Sequence, residues 1–274
     1  MSTLVIDIAA RKTNMLQALG ILSPAPVLPA VLAMHALDKK MNNRLGVRGV
    51  GLIHRHATPW MEYLDKKTKN GEIYLQPRLV QRRGAYLFDS EKNVQGISTQ
   101  PMALADIELT LLLDCEHDIS DGILGETKTT LHAMRLAGGI IQKADMRVFP
   151  DWDKAMSVLR GGRWVDDATA MLASGGEPNP VRALFSATRS KKGEWIVPAN
   201  LGYALLEDPG ERTGARDGYP HAFVEDMIGL VCYTPLSFLR EEIRPSRLWR
   251  YGWDGDQFLV TNRPGVLLSG ARAA

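Results

Sequence analysis

Apolar and polar positions alternate over residues 105–114, ADIELTLLLD, where Ile107, Leu109, Leu111 and Leu113 stand against Glu108, Thr110 and Leu112. That period of two predicts a strand with one face inward. Residues 3–10, TLVIDIAA, form a short apolar run around Asp7 and predict a mostly buried strand. After the proline-punctuated SPAPVLP, the stretch AVLAMHALDKKMNNRLG has helical composition, with Pro29 suited to the first helical position and Gly46 to a stop. Its first turns are apolar on every side and its last are polar, so the helix should enter the core and emerge basic. VRGVGLIHRH, residues 47–56, returns as a strand. These elements make one βαβ unit.

A second unit follows the strand at 105–114. Ile123, Leu124, Thr127, Leu131 and Met134 fall at helical spacing. The predicted helix runs to Gly138 and Gly139, because glycine accepts the left-handed conformation of a helix C-cap. GIIQKADMRVF then predicts the return strand, beginning at Ile140. Two βαβ units in tandem predict an α+β fold with a ferredoxin-like or RNA-recognition-motif core. Such a core has four antiparallel strands with two helices on one face and leaves the other face open, a platform for single-stranded RNA.

Residues 57–100 interrupt this pattern and read as a basic insertion, with a lysine cluster ahead of the hairpin-turn signal Asn70-Gly71. The organisation is therefore a core over residues 1–150 with the insertion at about 57–100, and a C-terminal half, 151–274, of irregular, mostly β character packed on that core. In this half, DWDKAMSVLR before Gly161-Gly162 and VDDATAMLA before Gly175-Gly176 predict short helices. ALFSAT and EWIVPA predict a hairpin around RSKKG, and GYALLED, FVEDMIGLVCY, RLWRYGW and DQFLVTN are strands or short helices whose order periodicity does not give.

Composition adds limits. The chain of 274 residues is 45% hydrophobic and 23% charged, an ordinary balance for a globular protein able to bury a core. Two cysteines, Cys115 and Cys232, argue against a disulfide framework and fit a reducing cytoplasm. Neither a secretory leader pattern nor an apolar run of membrane-spanning length is present, so no membrane is expected. The net charge of +2 hides a polarised distribution. Residues 39–92 carry 12 lysines and arginines against 5 acids, whereas 106–126 carry 7 acids and no lysine or arginine. One molecule thus presents a basic third, suited to phosphates, and an acidic segment.

The candidate chemistry follows from these placements. His54-Arg55-His56 ends a predicted strand, so both imidazoles should face one side and the arginine the other. A metal pair with Cys115 and His117, or a general base for RNA cleavage at His54 or His56, are the reactive readings. A packed strand-end histidine is the plain one. GVRGVG at 46–51 lies between a helix and a strand, the reverse of a dinucleotide fingerprint, and is set aside. Asp114, Glu116, Asp118 and Asp121 lack calcium-loop spacing and read as an acidic loop docking on a basic neighbour. No cofactor or metal is implied. Arg78, Arg82, Arg83, Tyr86 and Phe88 mix guanidinium groups with aromatics, which suits phosphate attraction with base stacking. Arg189, Lys191 and Lys192 are a second such patch, and Arg55 is the rim contact.

Several stretches together resemble a known family. SPAPVLPAVLAMHALDKKM, RGVGLIHRH, ADIELTLLLD, MRLAGG, GEWIVPANLGYALL, HAFVEDMIGLVCY and RLWRYGWDGDQFLVTN occur in the order found in the Cas-five type, or Csy-two, subunits of type I-F CRISPR surveillance complexes. MRLAGG is the most specific of them. The resemblance implies a non-catalytic protein with a protruding hairpin that binds the 5′ handle of the guide RNA. It further implies that the subunit caps the filament of Cas-seven type backbone subunits and pairs with a large subunit. In a minimal variant it would contact target DNA directly. Under this resemblance Arg135, inside MRLAGG, is either an ion-pair partner or a handle contact. The chain is compact for the family, and RKTNMLQALG is only loosely like the Asn-rich stretch found there. A pure protein-interaction scaffold is the third reading, drawn from the charge polarisation.

Overall fold

The computed structural model describes residues 2–18, 20–63, 75–77, 79–83, 99–174, 176–189, 195–213, 219–239 and 242–263. The first predicted strand is longer than its apolar run: β1 spans Ser2–Asn14. A small antiparallel pair, β2 (Leu16–Ala18) with β3 (Ile21–Leu22), leads into α1 (Val27–Lys40). Proline at position 29 is the third helical residue and not the first. It is tolerated because the first four N–H groups of a helix have no partner inside it. Nor does Gly46 stop the helix, whose C-cap is Met41. Buried Asp38 shapes the exit instead, its carboxylate accepting the backbone N–H groups of Leu45, Gly46 and Val47 at 3.0, 3.2 and 2.9 Å. β4 (Val47–Pro59) follows directly.

In the insertion, β5 (Met61–Tyr63) pairs with β6 (Leu75–Pro77), and β7 (Leu79–Arg83) pairs with the start of β8 (Thr99–Cys115). The predicted Asn70-Gly71 turn lies outside the described residues. α2 (Asp121–His132) is capped by Ser120, and β9 (Arg135–Leu136) and β10 (Gly139–Phe149) complete the first half. Here the helix prediction overshoots. α2 ends at His132, and Arg135 and Leu136 pair back onto Ile140 and Gly139 through a turn in which Ala137 (φ 47°) and Gly138 (φ 76°) are both left-handed. That is the two-residue hairpin geometry. Gly139 has a different task, since a Cβ there would stand 2.6 Å from the Arg11 carbonyl oxygen.

The second half contributes α3 (Trp152–Val158), β11 (Arg163–Asp167), α4 (Ala170–Ser174), α5 (Pro180–Thr188), β12 (Trp195–Leu205), β13 (Val224–Pro235), α6 (Leu236–Leu239), a 3-10 turn at Pro245–Arg247, β14 (Arg250–Asp254) and β15 (Gln257–Thr261). Two predictions fail there. VDDATAMLA is split between β11, whose Asp166 and Asp167 face Cys232 and Val231 of β13, and short α4. ALFSAT is the body of α5, capped by Asn179, and not a strand. Helical spacing of Ala183 and Ala187, both buried, decided its face.

The longer described strands share one antiparallel sheet in the order β14-β15-β12-β13-β11-β4-β8-β1-β10-β9. Because β11 pairs with β4 at Arg163↔His54 and Trp164↔Ile53, the second half extends the sheet of the first. One face of the β4-β8-β1-β10 section packs Leu4, Ile6, Leu52, Leu109 and Leu111 with α1 and α2. The opposite face is not the open platform the tandem βαβ pattern predicts. Val5, Ile53 and Leu112 on it are covered by Trp152, Ala155, Met156, Leu236, Ile243 and Leu248 from α3, α6 and the following segment. Each such aliphatic side chain gains about 1.5–3 kcal/mol from leaving water, which is why the C-terminal half settles there. Trp249 sews the layers together, exchanging backbone hydrogen bonds with Val50 at 2.9 Å and donating its indole N–H to the Val165 carbonyl at 2.9 Å.

Candidate nucleic-acid interface

Of the predicted contact residues, the far end of β4 carries Arg55 alone, between the two candidate histidines His54 and His56. A β-bulge between His54 and His56 breaks the alternation that was to place both imidazoles on one side. His54 turns into the core, edge-on to Trp195 and Tyr233 with ring centroids 5.3 and 5.4 Å away. His56 is exposed and hydrogen-bonds the Thr58 hydroxyl at 2.8 Å. Burial lowers the His54 pKa to about 4, with His56 and Arg163 adding to the effect, and its Nε2 has no protein partner. Metal ligation by these histidines with Cys115 is not assembled either: His54 pairs with Leu109, whereas Cys115 pairs with Val47 at the other end of the ladder. Burial pushes the Cys115 thiol up to about 12.

Arg55 is half-buried and held. Its Nε donates to the Thr110 hydroxyl at 2.8 Å and its Nη1 to the carbonyls of Arg160 and Gly161, the latter at 2.7 Å. Desolvation lowers its pKa, though an arginine so placed remains charged near neutrality. The chain crosses over it because Gly161 and Gly162 adopt φ 60° and 78°, and a Cβ on Gly162 would sit 2.7 Å from Ile53 Cγ2. The crossing delivers Arg163 beside His54, with its guanidinium 5.7 Å from the centroid of the Trp195 ring. Trp195 in turn stacks on Tyr233 at 4.3 Å. These groups line a cavity of about 350 Å³ formed by His54, Arg55, Gly162, Arg163, Trp195 and Pro235. Arg55, Arg163 and His54 are the ionisable residues on its wall, and among the described residues no carboxylate lines it.

The neighbouring groove on the second face of the sheet differs. Asp7, Glu108 and Asp145 there offset Arg55 and Lys143, and Lys143 is paired to Asp145 at 2.7 Å. Three carboxylates against two cations leave it net negative, so it offers an anion nothing. The acidic segment is similarly occupied: Asp114 pairs with Arg48 at 2.7 Å and Glu126 with Arg44 at 2.5 Å.

The remaining predicted contacts do not gather at this cavity. Arg135 is exposed on β9 at the opposite edge of the sheet. At about 4.8 Å per strand, four strand spacings put it roughly 20 Å from β4. Arg189 is exposed at the C-cap of α5. Arg82 and Arg83 lie on β7, opposite Gln100 and Thr99, but their side chains are outside the described residues. Arg78, Tyr86, Lys191 and Lys192 lie outside them altogether. Arg163 and Trp195 escaped the sequence reading. Their signal was present as an aromatic just past the basic turn RSKKG and an arginine just past Gly161-Gly162, yet only the sheet order makes them neighbours.

No protein-family model matches the chain, and no curated protein matches it.

Proposed function

We propose that the chain is a non-catalytic RNA-binding subunit of the Cas-five type in a type I-F CRISPR surveillance complex. It holds the 5′ handle of the guide RNA and caps the filament of Cas-seven type subunits. A large subunit joins it there, or, in a minimal variant, it touches target DNA itself. The observation that carries the binding reading is the cavity in which Arg163 stands beside Trp195 and the internally held Arg55, with no carboxylate on its wall among the described residues, at the end of the strand that leads into the basic insertion. Guanidinium groups in a low-dielectric concavity attract phosphate, and they bind it in a planar, two-pronged geometry. The strand order β10-β1-β8-β4, with α1 and α2 connecting strands that flank a third, supports the ferredoxin-like or RNA-recognition-motif reading of the core. The family reading itself rests on the resemblance of the segments quoted above, and the cytoplasmic assignment on the two cysteines and the reducing compartment they fit. Among the described residues no helix is long and apolar enough to cross a membrane.

Chemistry at His54 is disfavoured in this reading. A base whose pKa is lowered to about 4 holds a proton too weakly to abstract one near neutrality. The test is fluorescence anisotropy of a labelled single-stranded RNA with the unaltered protein and with Arg163→Ala. Loss of one phosphate contact should weaken binding about 5–10-fold and reduce the slope of log K against log salt by about 0.7. An unchanged affinity and slope would remove the cavity from the interface, and cleavage of the RNA would overturn the non-catalytic assignment.

A further inference from the structure

The β12-β13 hairpin projects beyond its neighbours. β11 pairs with β13 only from Val231 to Pro235, and the last contact along that edge is the Ala168 N–H donating to the Leu230 carbonyl at 2.8 Å. The Leu230 N–H points the same way, to the Thr169 hydroxyl at 3.2 Å. Backbone groups alternate sides along a strand, so those of Ile228, Asp226 and Val224 face this outer edge. The Phe223 carbonyl faces inward, accepting from Leu206 at 2.9 Å, which fits the same alternation. No described strand pairs with Val224–Ile228 on the outer side. Among the described residues the stretch is an unprotected sheet edge.

Two further features say what the edge takes. Leu206 and Phe223, 59% and 62% exposed, sit side by side at its tip, and a cavity of about 190 Å³ of mixed character, with Met227, Ile228 and Leu259 beside Asp167, Asp254 and Arg263, opens at its base. Alternate side chains of an added strand would have an apolar place to rest. The charge around it is negative: Glu207, Asp208, Glu211, Glu225 and Asp226 against Arg212 give −5 + 1 = −4 over described residues 205–213 and 219–226. Glu225 and Asp226 would face like charges in a second copy paired here, which discourages self-association. The same field repels a phosphate backbone.

We propose that β13 from Val224 to Ile228 takes up an extended, lysine- or arginine-rich segment of a partner protein as an added strand. The inference stands on the edge, its charge and its apolar flank, and not on the RNA reading. Its test uses a fluorescein-labelled nonapeptide of alternating lysine and valine, its glutamate-valine counterpart, and single-stranded RNA of nine nucleotides.

The lysine peptide should bind at least about tenfold more tightly than the glutamate peptide, as opposite charges meet in the added ladder. Replacing Val224 and Asp226 together by proline removes two outward N–H groups while leaving the inward ladder intact, and should weaken the lysine peptide about tenfold or more. Glu225→Lys with Asp226→Lys keeps the backbone donors and should reverse the preference toward the glutamate peptide, which serves as the readout should the proline variant melt early. Undiminished lysine-peptide binding in a folded proline variant, or an unreversed preference in the lysine variant, would overturn the proposal. So would RNA binding that falls with the proline substitutions. Failure of Arg163→Ala to affect RNA leaves this result untouched, so the two readings fail separately.

Discussion

Lowering the pH from about 8 to about 5 should weaken this fold through two buried imidazoles. His35 sits edge-on to Tyr251 with centroids 4.4 Å apart, and His54 is enclosed by Trp195 and Tyr233. Neither Nε2 has a protein partner, and burial lowers each pKa from 6.5 to about 4. A histidine with a depressed folded pKa takes up its proton mainly in the unfolded chain. Stability is therefore complete above about pH 6.5, falls as pH drops through that value, and stops falling near pH 4, where the native ring also protonates. At about pH 5 the unfolded imidazole is almost fully protonated and the native one is not, which amounts to about 2 kcal/mol for each and about 4 for the pair. For a chain of this size that lowers the melting temperature by about 8–16 °C. Asp166, whose pKa burial pushes upward, works in the opposite direction, so the informative comparison is with His35→Phe/His54→Phe and not the raw slope. Thermal melts followed by circular dichroism at both pH values decide it. Should the double variant lose as much melting temperature on acidification as the unaltered protein, the account of buried neutral imidazoles is refuted.

Other perturbations test the packing. Gly202→Ala would drive a Cβ to within 2.1 Å of the Phe258 carbonyl oxygen across the β12-β15 ladder. A fixed backbone cannot give way cheaply, so urea denaturation should show a loss of about 2–4 kcal/mol, and a loss under 1 would mean the strands separate easily there. Arg55→Met keeps the aliphatic stem but abandons the carbonyls of Arg160 and Gly161 and the Thr110 hydroxyl. It should cost about 1–3 kcal/mol and loosen the 159–163 crossing, read as faster amide exchange at Gly161 and Gly162.

How much of the site was legible in the sequence varies by residue. Arg55 was selected from His54-Arg55-His56 at a strand end, and the structure puts it at the cavity. Its role proved largely internal, because Gly161 and Gly162 bring two carbonyls onto it. Arg163, over the Trp195 ring, forms no ion pair among the described residues and is the cation the cavity offers. Arg135 was chosen as part of a helix and lies on a hairpin.

By itself the sequence determined the elements whose apolar period is long or whose caps are strong: β1, β4, β8, α1, α2 and α3. Period and capping act within one or two turns of chain, and the residues that set them are adjacent. What only the tertiary structure decided are the outcomes that depend on distant partners. The Arg135–Leu136 hairpin forms because its backbone groups find β10. The second sheet face is closed because Trp152, Ile243 and Leu248 reach it from the C-terminal half. Arg163 meets Trp195 because β11, β13 and β12 lie side by side. A local pattern specifies which side of a strand is apolar, but which surface buries that side is settled by the free energy of the whole assembled sheet.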